Sequence, residues 1–272
     1  VCGERICLQS MLGVMANLLN GNNCTLIQLG LNSPIVASPD ARPPLSLVVV
    51  VDTSGSMAGS GKMEFVREGL AQMVNELRDE DQIAVVRYST QAQLMVPMTE
   101  LSGNRNRVHE AIDELVADGA TNLFEGLDVG YQHALENYDS GRQNRLILLS
   151  DGQPTEGVTD PSAIMALSRV NNSEGIGLTS VGLGTGFNYG LMRGLAEQGD
   201  GNFYFVEDAA AVQEVFTEEL SYFTLPVAFD IEMVLRPGDN YEIRRAVGSR
   251  FWETTEAGTG YLEVPSVFLA HR

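Results

Sequence analysis

Positive charge is scarce in this chain. Its 272 residues carry 17 Lys and Arg against 36 Asp and Glu, a formal net charge of −19. Such a surface repels phosphate backbones, so nucleic acid is not an expected partner. Long apolar runs are missing too. Nothing approaches the ~18 consecutive apolar residues that a membrane-crossing helix requires, so no transmembrane segment is expected. Histidine is limited to His109, His133 and His271. The first two fall within helical patterns and the third at the chain end, so no nucleophile–base arrangement is visible. The chain therefore reads as a non-enzyme with no catalytic residue. It opens at Val1 with neither an initiator Met nor a signal peptide, which reads as a processed or trimmed protein.

Cysteine is almost as sparse, and all of it is at one end: Cys2, Cys7 and Cys24. Clustering outside the large domain favours a disulfide-stapled extension in an oxidising, extracytoplasmic compartment. Zinc is the weaker reading, since three Cys with no nearby His make a poor site. Leu8, Met11, Leu12, Met15, Leu18 and Leu19 repeat at helical spacing before Gly21, which predicts a short amphipathic helix over 8–20. Residues 1–24 thus read as a Cys-containing helical extension. A disulfide from Cys7 or Cys2 to Cys24 would close that helix onto a strand at 25–31. A Pro-punctuated linker follows from Ser33 to Pro44.

Beyond the linker, strand and helix patterns alternate. Strands are expected at 46–51, 82–88, 145–150, 177–183 and 202–206, with an edge hairpin at 91–97 ended by Pro97. Helices are expected near 63–78, 105–117, 122–137, 161–174, 188–198 and 209–222. This alternation predicts an α/β domain, a doubly wound, mostly parallel sheet with helices on both faces. After Phe223 the helical pattern stops. Segments 226–236, 241–247 and 260–269 read as strands that join 25–44 in a small flanking β unit, incomplete where the sequence stops.

The most informative stretch is Asp52-Thr53-Ser54-Gly55-Ser56, which follows the unbroken run Leu47-Val48-Val49-Val50-Val51. Such a run marks a buried parallel strand, so Asp52 stands at its carboxyl end. Carboxylate and hydroxyl oxygens at alternate positions suit a hard cation such as Mg²⁺. Asp118-Gly119-Ala120-Thr121-Asn122 and the strand end Leu149-Ser150-Asp151-Gly152 supply further oxygens. Asp52 and Asp151 both sit where doubly wound sheets bind ligands. Together the three segments resemble the metal-ion-dependent adhesion site of the von Willebrand factor A family, over roughly residues 45–225. Inter-alpha-trypsin-inhibitor heavy chains and many bacterial surface proteins are similar in layout.

The resemblance implies that Ser54, Ser56 and Thr121 touch the metal directly while Asp52 and Asp151 hold its waters. Mg²⁺ is the implied ion, with Ca²⁺ or Mn²⁺ as alternatives. It further implies a protein partner whose Asp or Glu carboxylate completes the ion's shell. Gln153, Pro154, Thr155 and Glu156 follow Asp151 and are expected to form a partner-binding rim, with Phe187, Asn188 and Tyr189 as further candidates. Two other functions stay open: an assembly component of a surface complex or pilus with a structural metal, and a non-catalytic subunit of a chelatase-like enzyme.

Competing motifs fail. Gly182-Leu183-Gly184-Thr185-Gly186 lacks the third glycine spacing and the acidic partner of a dinucleotide loop. In the segment ending Gly61-Lys62, Met63 stands where a phosphate loop needs Ser or Thr. Lys62 and Glu64 read as the start of a solvated helix face.

Overall fold

Eight residues in a row with no exposed member, Leu45–Asp52, form the strand around which the molecule is built. The computed structural model describes residues 6–16, 23–33, 43–199, 201–207, 215, 226–228, 231–246, 251–255, 258–264 and 267–268. Numbered along the chain, the strands of the central sheet are β3 (Leu45–Asp52), β4 (Gln82–Tyr88), β5 (Ala92–Glu100), β6 (Gln143–Ser150), β7 (Gly177–Leu183) and β8 (Phe203–Val206). Their spatial order is β5-β4-β3-β6-β7-β8. All neighbours are parallel except β5, which runs antiparallel to β4 at the edge. β5 continues through Pro97 to Glu100 instead of ending there. An edge strand tolerates a residue without an N–H, and the β4–β5 register shifts near it.

Side chains alternate along β3 and fill a core on each face. Leu45, Leu47, Val49 and Val51 meet α1 (Lys62–Glu76) and α2 (Arg105–Asp113). Val48 and Val50 meet α3 (Leu123–Glu136), α4 (Pro161–Ser173) and α5 (Tyr189–Gln198). Each Val or Leu removed from water here contributes about 1.5–3 kcal/mol. The doubly wound α/β architecture expected from the sequence is thus the observed one. The expected helix at 209–222 lies almost wholly outside the described residues.

Position 126 sets how closely α3 approaches the sheet. A Cβ on Gly126 would stand 2.6 Å from the Tyr88 ring, so only glycine lets the helix lie over that tyrosine. Helix starts are fixed locally. Asn122 accepts from the Glu125 N–H and Asp160 from the Ala163 N–H, satisfying donors that the first helical turn leaves open.

The amino-terminal segment corrects the sequence reading. Instead of a helix at 8–20, Cys7–Ala16 forms β1, paired antiparallel with β2 (Asn23–Asn32) over ten residues. A full-length ladder satisfies the backbone of both segments at once, and this pairing overrides a helical spacing that rests on only a few apolar positions. The register also overturns the Cys7–Cys24 closure. Cys7 faces Asn32 and Cys24 faces Met15, at opposite ends of the hairpin. Eight residues at about 3.4 Å each separate them by roughly 27 Å, against about 4.4–6.8 Å between the Cα atoms of a disulfide.

β2 is therefore committed to β1 and not to the carboxyl-terminal strands. Those form their own antiparallel sheets, β10 (Ile231–Leu235), β12 (Gly260–Val264) and β11 (Phe251–Thr254) in one and β9 (Pro226–Ala228) with β13 (Val267–Phe268) in another. Residues 241–246 are not a strand, and Phe251–Thr254 takes the place beside β12.

Candidate metal centre

β3 is the strand from which the winding reverses, with β4 on one side and β6 on the other. The crevice beyond the carboxyl ends of β3 and β6 is where such sheets receive ligands. Three strand-terminal residues stand side by side there: Asp52 pairs with Tyr88 in register, and Ser150 ends β6 on the other flank. One Asp52 oxygen accepts from the Ser54 N–H at 2.8 Å. The other accepts from Ser150 Oγ at 2.8 Å and from the Tyr88 hydroxyl at 3.3 Å. Asp52 is fully buried with only neutral donors around it. Desolvation raises its pKa, opposed by the Ser54 and Ser150 hydrogen bonds, and the nearby Asp151 charge pushes the same way as burial. Burial and the Asp52 charge likewise hold the Tyr88 phenol protonated, far above the usual tyrosine range.

In front of this tier lie the hydroxyls. Ser54 Oγ and Ser56 Oγ share a hydrogen bond at 3.0 Å, and Ser56 Oγ donates to Asp151 Oδ1 at 2.6 Å. A Cβ on Gly152 would sit 3.6 Å from Thr121 Oγ1 and 3.8 Å from Ser56 Oγ, so both hydroxyls face the same small space. Ser54 is buried whereas Ser56 is exposed, so the cluster opens to solvent on the Ser56 side.

The loops are tied together by their backbones. The Gly55 N–H donates to Gly119 O and the Asp118 N–H to Thr53 O, clasping the first motif to the second. Gly119 has φ +70°, and a Cβ there would meet Thr90 Oγ1 at 2.6 Å, so both conformation and space demand glycine. Asp52, Ser54, Ser56, Thr121 and Asp151, singled out in the sequence, are thus brought together. Lys62, Tyr88 and Ser150 were not foreseen. Lys62 is no part of a solvated face: its Nζ lies 2.5 Å from Asp151 Oδ2.

The segment expected to form the rim lies beside Thr121. Thr155 Oγ1 accepts from the Thr121 N–H at 3.0 Å, and the Thr155 and Glu156 N–H groups both donate to Thr121 O. Gln153 reaches Gly186 O at 3.4 Å, and Pro154 is half-buried between these exposed residues. Phe187 is packed against Phe203 and Phe205, whereas Tyr189 is exposed and Asn188 caps α5. Of the histidines, His109 meets Asn75 and His133 accepts from the Met98 N–H, while His271 lies outside the described residues.

The donor set fits a small divalent cation. Adjacent oxygens around Mg²⁺, each about 2.0–2.1 Å from the ion, lie about 2.8–3.0 Å apart, which matches the Ser54–Ser56 separation. Among the described residues no three His, Cys, Asp or Glu side chains gather in one place. A thiolate–imidazole centre is thus not formed by them, and the oxygen site stands on two carboxylates and three hydroxyls.

Fold and site together define an α/β domain with a cation-type crevice at its switch point. The von Willebrand factor type A domain model matches residues 46–218, and the chain belongs to that family. It is 32% identical over 192 residues to the uncharacterized protein YfbK of Escherichia coli, covering 70% of this chain and 33% of that one. To human inter-alpha-trypsin inhibitor heavy chain H4 it is 30% identical over 160 residues, covering 56% and 17%. The chain thus spans about a third of the first of these relatives and less of the second. Among solved structures, a von Willebrand factor type A protein from Catenulispora acidiphila superposes with TM-score 0.68 at 18% identity, covering 90% of this chain and 57% of that one. Proximal thread matrix protein 1 of the mussel byssus, in a form with a zinc-occupied adhesion-site motif, superposes with TM-score 0.57 at 14% identity, covering 72% and 50%.

Proposed function

We propose that this chain is a metal-dependent protein-binding module, non-catalytic, whose divalent cation is Mg²⁺ and is completed by an Asp or Glu carboxylate of a protein partner. The observation that carries the reading is the two-tier arrangement. Three neutral hydroxyls converge in front of the buried carboxylates, with the opening to solvent on the Ser56 side, and Ser56 is hydrogen bonded to Asp151. Ser54, Ser56 and Thr121 would hold the ion, with Asp52 and Asp151 supplying negative charge through hydrogen bonds. When bound, the cation supplies a poorly neutralised seat for an anionic oxygen. A net charge of −19 over the whole chain makes that seat a local exception, which sharpens selection for a carboxylate.

Support for the absence of catalysis is that the described histidines are engaged on helices α2 and α3. An extracytoplasmic setting is the proposed location, supported by the clustering of Cys2, Cys7 and Cys24 outside the central domain. The zinc-occupied motif of the mussel protein supports metal binding by this fold.

Titration of the chelator-treated protein with Mg²⁺ and with Mn²⁺ by calorimetry tests the metal. One-to-one binding by wild type and its loss in Asp52→Ala are expected, and equal affinity in the two proteins overturns the site. Capture of partners from the native surface, with Mg²⁺ or with excess chelator, tests the function. Binding that persists in chelator, or in Thr121→Ala at wild-type strength, overturns the adhesion mechanism.

A further inference from the structure

Of the two buried carboxylates at the candidate site, only Asp151 has a cationic partner among the described residues. Lys62 is the first residue of α1, placed by two consecutive left-handed residues, Ser60 at φ +57° and Gly61 at φ +69°. That turn aims the lysine back across the mouth of the sheet. Its stem passes over Gly184, where a Cβ would stand 3.4 Å from Cε and 3.7 Å from Nζ. The ammonium ends 2.5 Å from Asp151 Oδ2, while Oδ1 of the same carboxylate takes the Ser56 hydroxyl at 2.6 Å. Asp151 is fully buried at its side chain and Lys62 is 24% exposed. Nζ therefore touches the very group that would steady the metal's water, and it does so from a position with an exit. Lys62 itself lines a cavity of about 440 Å³, together with Ser60, Phe65, Gly184, Thr185 and Glu207.

We propose that Lys62 is a resident counter-cation of the metal site. Its ammonium neutralises Asp151 while no metal is bound, and it competes with the divalent ion for the same carboxylate, so it sets the affinity of the site. The inference rests on the metal-binding reading above. The Asp52 and Asp151 carboxylates are both buried at the carboxyl ends of neighbouring strands, and of the two only Asp151 meets an ammonium among the described residues. An unpaired buried carboxylate is costly, and the lysine relieves that cost in the metal-free protein. The same positive charge repels a divalent cation a few ångströms away, at an effective dielectric of about 20, by enough to alter affinity at least ten-fold. Lys62 has a place to go when the ion arrives, because a flexible four-carbon stem can turn its ammonium into the cavity that Glu207 also lines. It is a positioning residue: it acts on the metal through Asp151.

The test uses Lys62→Gln and Lys62→Arg, each titrated with Mg²⁺ and Mn²⁺ by calorimetry and melted in chelator and in excess Mg²⁺. Lys62→Gln should bind Mg²⁺ at least about ten-fold more tightly than wild type. It should also melt lower than wild type in chelator and close to it in Mg²⁺. Lys62→Arg, which keeps the charge, should stay near wild type in both measurements. Equal or weaker Mg²⁺ binding by a folded Lys62→Gln overturns the counter-cation role while leaving the metal site standing. A Lys62→Gln protein that melts identically to wild type in chelator also overturns it. If wild type binds neither ion, the metal reading itself falls and this inference with it.

Discussion

Asp52 ends β3 and Asp151 directly follows the neighbouring β6; both are buried, and they are kept in opposite ways. Asp52 is surrounded by an amide and two hydroxyls, every one neutral. Asp151 has a hydroxyl on one oxygen and an ammonium on the other. The difference teaches which carboxylate is waiting for a charge. Burial favours the protonated form of Asp52, so its stabilising contribution is complete only below the ordinary carboxylate pKa. That contribution is lost as pH rises through the higher folded value. At neutral pH Asp52 is a liability to the metal-free fold, whereas Asp151 is already matched.

Replacing each by its amide is the strongest way to break that comparison. Asp52→Asn should lower Mg²⁺ affinity by about 10–100-fold, the usual effect of removing a group that orients metal ligands. Yet it should melt at or above wild type in chelator, because Tyr88 can turn its donor to Leu149 O, 3.3 Å away, and accept from the new amide. Asp151→Asn should weaken Mg²⁺ as well but melt slightly below wild type in chelator, since it ends the Lys62 ion pair. Opposite signs in the two chelator melts are the decisive reading. If both amides lower the melting temperature equally, the asymmetry is not real.

A smaller effect sharpens the comparison from behind. Tyr88→Phe and Ser150→Ala each take one donor from the Asp52 oxygen that has two. Each should lower Mg²⁺ affinity less than Asp52→Asn does. The Ser150 bond, at 2.8 Å against 3.3 Å for Tyr88, is the shorter, so its loss should have the larger effect of the two. Calorimetric titration of the two variants checks the order, and Tyr88→Phe weaker than Ser150→Ala would reverse it.

How much of this was legible in the sequence depended on whether the signal was local. Strands Gln82–Tyr88 and Gly177–Leu183 appear with the bounds their apolar runs predict, because burial on both faces leaves an unbroken pattern. The five residues of the candidate metal site were legible because strand ends and loop hydroxyls sit within short motifs. Tyr88 and Ser150 were missed although each closes a predicted strand. Parallel strands align their ends, so the signal was there, but only the strand order β4-β3-β6 makes those ends neighbours of Asp52. Lys62 is 89 residues from Asp151, and no periodicity connects them. The amino-terminal misreading has the opposite cause. A few apolar residues at helical spacing predict a helix, but the matching ten-residue segment at Asn23–Asn32 fixes a ladder instead.

The smallest expected effect lies away from the metal and serves as the contrast for both carboxylates. His133 on α3 accepts the Met98 N–H through Nε2 at 2.8 Å, pinning edge strand β5 beside Pro97. Burial lowers its pKa, and Glu136, 3.8 Å from Nδ1 and largely exposed, opposes this only weakly. A depressed folded value means the folded state prefers the neutral ring. The stability it contributes is present above the ordinary histidine value of about 6.5 and is lost as pH falls through the folded value. One neutral hydrogen bond is at stake, about 0.5–1.5 kcal/mol, which for a chain of this size is about 1–6 °C. In chelator, wild type should lose that much melting temperature between pH 7.5 and pH 5 beyond what His133→Gln loses, because the glutamine oxygen can accept the same N–H without titrating. Asp52, whose folded pKa is raised by burial, gains stability as pH falls, so Asp52→Asn removes a trend that opposes the histidine loss. Identical pH dependence in wild type and His133→Gln would show that the Met98 contact does not respond to protonation.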